Sequence, residues 1–230
     1  MNDPNPGAES FGDPLDVART LQRITLYAIL PLWIVPAFCD YVFHRKSSIE
    51  TTSGTHESLV HALQMSTMGL PTLMGLLLEI DASVIATMIA ATAAHEGLVL
   101  WDIAYAEPLR RPSPNEQHMH SFLEVVPIMA LVAVLSLHPA QTAALFGQGG
   151  EAPRWRLRFK QPQLKKRYLA AILGFVTALG VVPYAEELAR CYRADRTVAP
   201  HRARDAARDA AAEPPAAPAP AVAQTSAQGA

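Results

Sequence analysis

Three times in this sequence a carboxylate precedes a histidine by four residues: Asp40 and His44, Glu57 and His61, Glu116 and His120. On an α-helix that spacing puts both side chains on one face. Glu124 carries the third stripe one turn further, and His95 and Asp102, seven apart, share a face in the same way. Carboxylate and imidazole on facing helices of a bundle form the ligand set of di-iron and di-manganese centres. Asp40, His44, Glu57, His61, His95, Asp102, His120 and Glu124 are therefore the expected metal ligands. The ion is a divalent or trivalent metal, iron first and manganese or zinc after it, because nitrogen and oxygen donors suit all three without a thiolate. Such a centre would serve an oxidoreductase acting on a lipid-like or small apolar substrate, with a redox partner to supply electrons.

The spacing matches no established signature. Membrane hydroxylases and desaturases carry HxxxH and HxxHH boxes, ferritin-like proteins carry ExxH, and zinc proteases carry HExxH. Here His56-Glu57 leads to His61, an HExxxH spacing. The metal reading rests on helical register and sidedness alone.

The elements that must position these residues are apolar. Half of the 230 residues are hydrophobic and only 17% are charged. Five apolar segments, 21–43, 59–80, 82–105, 121–146 and 168–188, are each near the ~20 residues that cross a ~30 Å hydrocarbon core. The composition predicts an all-α integral membrane bundle of about five transmembrane helices with disordered termini. The polar stretch 1–20 and the Ala/Pro/Arg-rich stretch 193–230 are expected to be disordered, with the transmembrane domain over 21–192. The stretch 1–20 has no basic n-region, so it does not read as a signal peptide. Trp33, Trp101, Tyr105 and Tyr184 suit positions near the membrane interfaces. Pro31, Pro36, Pro127 and Pro139 fall in the spans, where membrane helices tolerate proline. Ser113-Pro114-Asn115-Glu116 reads as a capping box that starts the fourth helix. Thr55 is the expected cap of the second.

Five alternating spans sort the loops onto two faces. The N-terminus, the Glu79-Ile80-Asp81 hairpin and the basic stretch 147–167 share one, face A. The loops 44–58 and 106–120 and the C-terminal tail share the other, face B. Asp40, His44, Glu57, His61, Asp102, His120 and Glu124 then gather near face B, with His95 closer to the midplane and only His138 towards face A. Glu186 and Glu187 follow Pro183 and are expected at the water interface. An ionisable side chain at the bilayer centre costs about 2.5–3.5 kcal/mol on insertion scales, so such groups pair or bind ions. A metal would compensate several carboxylates together and keep the imidazoles neutral.

Other classes are constrained in turn. A net charge of -2 offers no phosphate-neutralising surface, so nucleic acid is not a partner. Cys39 and Cys191 are too few for a disulfide framework or a cysteine zinc site. A haem electron carrier, with His61 and His120 as axial ligands, is one alternative. A transporter or assembly factor using the intramembrane Asp, Glu and His as a proton relay is another. The partners expected are the lipid bilayer itself, a lipid-like substrate and a redox partner, in a multi-pass protein of a bacterial cytoplasmic membrane. Basic residues near the spans balance between the two faces, so charge asymmetry does not orient the chain. If Arg45, Arg110 and Arg111 belong to the site, face A is the cytoplasmic one.

Overall fold

The computed structural model describes the backbone of residues 13–212 and the side chains of 13–197. The described residues form six α-helices, one short 3-10 helix at Ile49–Thr51, and no strand beyond one isolated bridge, Leu78 to Phe159. Helix α1 covers Pro14–Ser47, with a π turn at Thr25–Ile29. Helix α2 is Gly54–Leu77, α3 is Ala82–Ala106, α4 is Pro114–Leu137 and α5 is the short Pro139–Leu145. Helix α6 runs through Lys166–Val176, a π turn at Thr177–Val181, and Val182–Ala212.

Both π turns lie just before a proline, Pro31 and Pro183. Proline has no N–H for the usual i−4 bond, and widening the preceding turn is one way a helix absorbs that loss. The first helix starts at Pro14 rather than near residue 21, capped by the Asp13 carboxylate on the Leu15 N–H at 2.9 Å. The last continues to Ala212, past the expected boundary at 192. The remaining parts of the stretches expected to be disordered, 1–12 and 213–230, lie outside the described residues. The fourth apolar segment is two elements, because His138-Pro139 ends α4 and Pro139 begins α5.

Among the described residues, four helices are long and apolar enough to cross a membrane: α1, α3, α4 and the Lys166–Thr197 part of α6. The expected fifth, α2, has the length but falls short in apolarity. It carries His61, Gln64, Ser66, Thr67 and Thr72. The reason is its place, for α2 packs between α3 and α6, while α1 packs on α4 and α6. The surface and interior are distributed as in a membrane protein. Large apolar side chains such as Leu32, Leu70, Leu100, Ile128 and Val132 face outwards, and the buried side chains include Asp40, His44, Glu57, His61, Asp102, Glu116 and Glu187. In water this arrangement would expose apolar area and bury charge, both unfavourable. In lipid the first cost disappears, and the second requires that the charges compensate one another.

Face A is closed by the 147–165 segment. Glu79 N–H donates to Arg158 O at 2.8 Å, and Lys160 N–H to Leu77 O at 2.9 Å. The buried Asp81 carboxylate accepts from Arg154 Nε at 2.7 Å and lies 3.4 Å from Arg158 Nη2. These contacts pin the basic segment across the hairpin between α2 and α3. Below it, Ile80, Val84 and Ile85 form a small apolar core.

Candidate metal centre

The site is built at the face B ends of five helices. The i,i+4 register of α1 carries Asp40 and His44 inward together, with His44 Nε2 3.3 Å from Asp40 Oδ1. In α2, which begins at Gly54 without a side-chain cap rather than at the expected Thr55, the same register brings Glu57 and His61 within 3.9 Å. The capping box at the start of α4 is formed as expected: Glu116 N–H donates to Ser113 Oγ, and Ser113 N–H to Glu116 Oε2. The cap leaves Glu116 Oε1 free to face the pocket, 3.4 Å from His44 Nε2. His120, one turn on, reaches Asp40 Oδ1 at 2.8 Å. Helix α3 contributes Asp102, whose Oδ2 is 3.1 Å from His61 Nε2.

Glu187 of α6 ties the two central imidazoles together. Its Oε2 lies 3.0 Å from His44 Nδ1 and its Oε1 2.9 Å from His61 Nδ1. This corrects the expectation that Glu187 sits at the water interface, since it is fully buried. Its neighbour Glu186 does point outward, accepting from Arg45 Nη1 at 2.7 Å and Tyr41 Oη at 2.9 Å. The reason is helical phase. Gly180, Tyr184, Glu187 and Cys191 recur every three or four residues and all are buried. Glu187 therefore belongs to the inner stripe of α6, while Glu186 lies 100° away.

A carboxylate on each Nδ1 makes Nδ1 the N–H donor and turns the lone pair of Nε2 towards the other carboxylates. His44 Nε2 is buried and lies near Asp40, Glu116 and Glu57, yet it is aligned for a hydrogen bond with none of them. Asp102 Oδ1 is likewise buried without a partner. Lone pairs converging from nitrogen and oxygen are unfavourable unless a proton or a metal ion lies between them.

The charge balance points the same way. Asp40, Glu57, Asp102, Glu116 and Glu187 bring five negative charges into one buried cluster. Arg110, from the loop between α3 and α4, brings one positive charge, with Nη1 2.5 Å from Glu116 Oε1 and a bidentate grip on Glu57. The two carboxylates hold the Arg110 guanidinium above its ordinary range, so it is charged at any working pH. Tyr184 Oη donates to Asp40 at 3.1 Å. Four negative charges remain, and two divalent cations with neutral imidazoles would cancel them.

Among the described residues, three groups of donor atoms each lie within 4.8 Å of one another and could hold a metal ion: Asp40, His44, Glu116 and His120; Glu57, His61 and Asp102; His44, His61 and Glu187. Six of the eight expected ligands are therefore brought together, and Glu116 and Glu187 join them. His95 and Glu124 belong to none of the groups. His95 is buried deeper in the bundle, its Nδ1 3.5 Å from Thr67 Oγ1 and its ring turned towards the Gln64 and Leu123 carbonyls. Leu123 is the residue whose helical donor would be the missing N–H of Pro127. Glu124, one turn beyond His120 on α4, is part-exposed and neighbours Glu96 rather than the donor groups. The proposed haem pair, His61 and His120, faces no open slot. His44 stacks on His61 and meets His120 edge-on at 6.3 Å, so its ring fills the space a porphyrin would need.

No family model and no curated protein matches the chain, and no solved structure matches its fold.

Proposed function

We propose that the protein is an integral-membrane, metal-dependent oxidoreductase with a two-ion centre near face B. The observation that carries this reading is the pair of imidazoles sharing Glu187 through Nδ1, with both Nε2 atoms aimed into a cluster of buried carboxylates. Asp40, His44, Glu116 and His120 would hold one ion, and His61 and Asp102 the other. Glu57 Oε1, 4.0 Å from His44 Nε2 and 3.9 Å from His61 Nε2, is placed to serve both. Iron or manganese held there would supply the redox chemistry, passing electrons to dioxygen and withdrawing them from an apolar substrate, which these side chains cannot do alone.

The chain's own residues do the rest. Glu187 fixes the tautomer and orientation of both imidazoles. Arg110 offsets one carboxylate charge and holds Glu57 and Glu116 at a common point. Burial of all the other ligands keeps water from most of the centre, and His120, its side chain 22% exposed, forms the edge nearest solvent. The bilayer supplies a lipid-like substrate laterally, and a redox partner supplies the reducing equivalents. We place the protein in a bacterial cytoplasmic membrane.

The test is oxygen consumption by membranes containing the chain, supplied with a chemical reductant, followed by mass spectrometry of the lipids. The reading predicts oxygen uptake and an oxidised lipid, both absent in His61→Ala. Equal uptake and identical lipids in the two membranes would refute it.

A further inference from the structure

A second feature lies at the opposite end of the bundle. A cavity of about 380 Å³ runs between α1, α2, α3 and α4, within the range of small-ligand sites. Its walls are apolar, among them Leu30, Leu76, Met88, Leu131 and Val134. Its basic and titratable side chains are gathered at one end. Arg19, His138 and Lys160 line the face A end; Arg19 is exposed and paired with Asp16 at 3.2 Å, and among the described residues no Asp or Glu lines the cavity itself. Lys160 reaches inward to donate to the Gly75 carbonyl and has no carboxylate partner among the described residues. Burial pushes its ammonium below the ordinary lysine range, the mark of a cation short of negative charge.

The dimensions fit one kind of molecule. From Arg19 to Trp33 along α1 is fourteen residues, about 21 Å. From His138 back to Val126 along α4 is twelve, about 18 Å. Half of a ~30 Å hydrocarbon core is about 15 Å, so the cavity receives a chain from the face A interface and carries it past the midplane. Pro71 and Pro127 line it where α2 and α4 lack a helical N–H, which is where helices bend apart. At the inner end stand Trp33 and Met68. Each is seven residues, about 10 Å, from the nearest candidate ligand on its helix, Asp40 and His61.

We propose that this cavity binds one long-chain fatty acid, its carboxylate between Lys160 and Arg19 at face A and its alkyl chain inserted towards Trp33. The walls supply the apolar burial, and Lys160, the cation without a carboxylate partner among the described residues, supplies most of the selectivity for an anionic head, with Arg19 beside it. A zwitterionic or neutral single-chain lipid gains only the first contribution. The site does not depend on the metal: no candidate ligand lines it, and the chain's terminal carbons stop short of the carboxylate cluster.

Native mass spectrometry of the detergent-solubilised full chain with added palmitate, hexadecanol and hexadecylamine tests this, before and after chelation of metal. The expected result is a single saturable palmitate adduct with at least ten-fold preference over both analogues, unchanged by chelation. Lys160→Gln should remove the preference while leaving hexadecanol binding intact. Ala130→Trp, which fills the cavity from α4, should abolish all binding. Lys160→Gln carries the test alone if Ala130→Trp does not fold. Equal adducts with all three amphiphiles, or palmitate binding insensitive to Lys160→Gln, would overturn the proposal. Palmitate binding by a chain that carries no metal even before chelation would count against the oxidoreductase reading and not against this one.

Discussion

The rings of His44 and His61 stack with centroids 4.6 Å apart and planes 9° from parallel, and one carboxylate, Glu187, holds both. The arrangement makes the two Nε2 atoms parallel neighbours on the side away from Glu187. It also makes Glu187 a positioning residue for both halves of the site. Glu187→Gln keeps the shape but can accept from only one imidazole N–H through its single carbonyl oxygen. Loss of such an orienting partner typically lowers metal affinity about 10–100-fold. Titration with a competing chelator should show that drop, with helical content unchanged. Affinity equal to the parent's would mean that Glu187 orients neither ring.

Arg110 offers a second test because it competes for the ligands it positions. Breaking a buried ion pair by removing one partner costs about 3–5 kcal/mol. Arg110→Met should therefore destabilise the protein strongly in chelator and much less in excess divalent metal, which replaces the lost charge. Thermal unfolding under both conditions measures the difference. An equal loss of stability in both would mean that the guanidinium and the metal do not share carboxylates.

His95 and Glu124 provide the negative controls. Both were expected as ligands from the sequence, and both lie outside the three donor groups. His95→Ala and Glu124→Gln should leave metal content unchanged, measured against His61→Ala in the same preparation. Halved metal content in either would redraw the site.

The hairpin at face A should be energetically separate. Asp81 begins α3, and Asp102 lies 21 residues further along it, about 30 Å away. Asp81→Asn removes the carboxylate that anchors Arg154 and Arg158. Tryptic cleavage at Arg154, Arg156 and Arg158 should accelerate while metal content holds, as distant sites behave additively. Metal lost together with the clasp would show that the two ends are coupled.

What the sequence revealed was local. The Asp40/His44, Glu57/His61 and Glu116/His120 pairs were legible because four-residue spacing within one helix decides which side chains share a face. Glu187 was obscured by a boundary. An apolar segment taken to end at 188 leaves it at the membrane edge, whereas α6 continues and keeps it on an inner stripe. The signal was present in the spacing of Gly180, Tyr184, Glu187 and Cys191, small or reactive types on an otherwise lipid-facing helix. Arg110 sits in a loop, where no periodicity reports direction. His95 and Glu124 lie outside the donor groups, because register fixes the face of a helix but not the depth at which facing helices converge.

The most direct measurement is the metal content of the detergent-purified chain by inductively coupled plasma mass spectrometry. Two ions per chain are predicted for the parent, about one for His61→Ala, and two for His95→Ala. Parent protein that binds no stoichiometric metal, even after incubation with iron, manganese and zinc, would contradict the account.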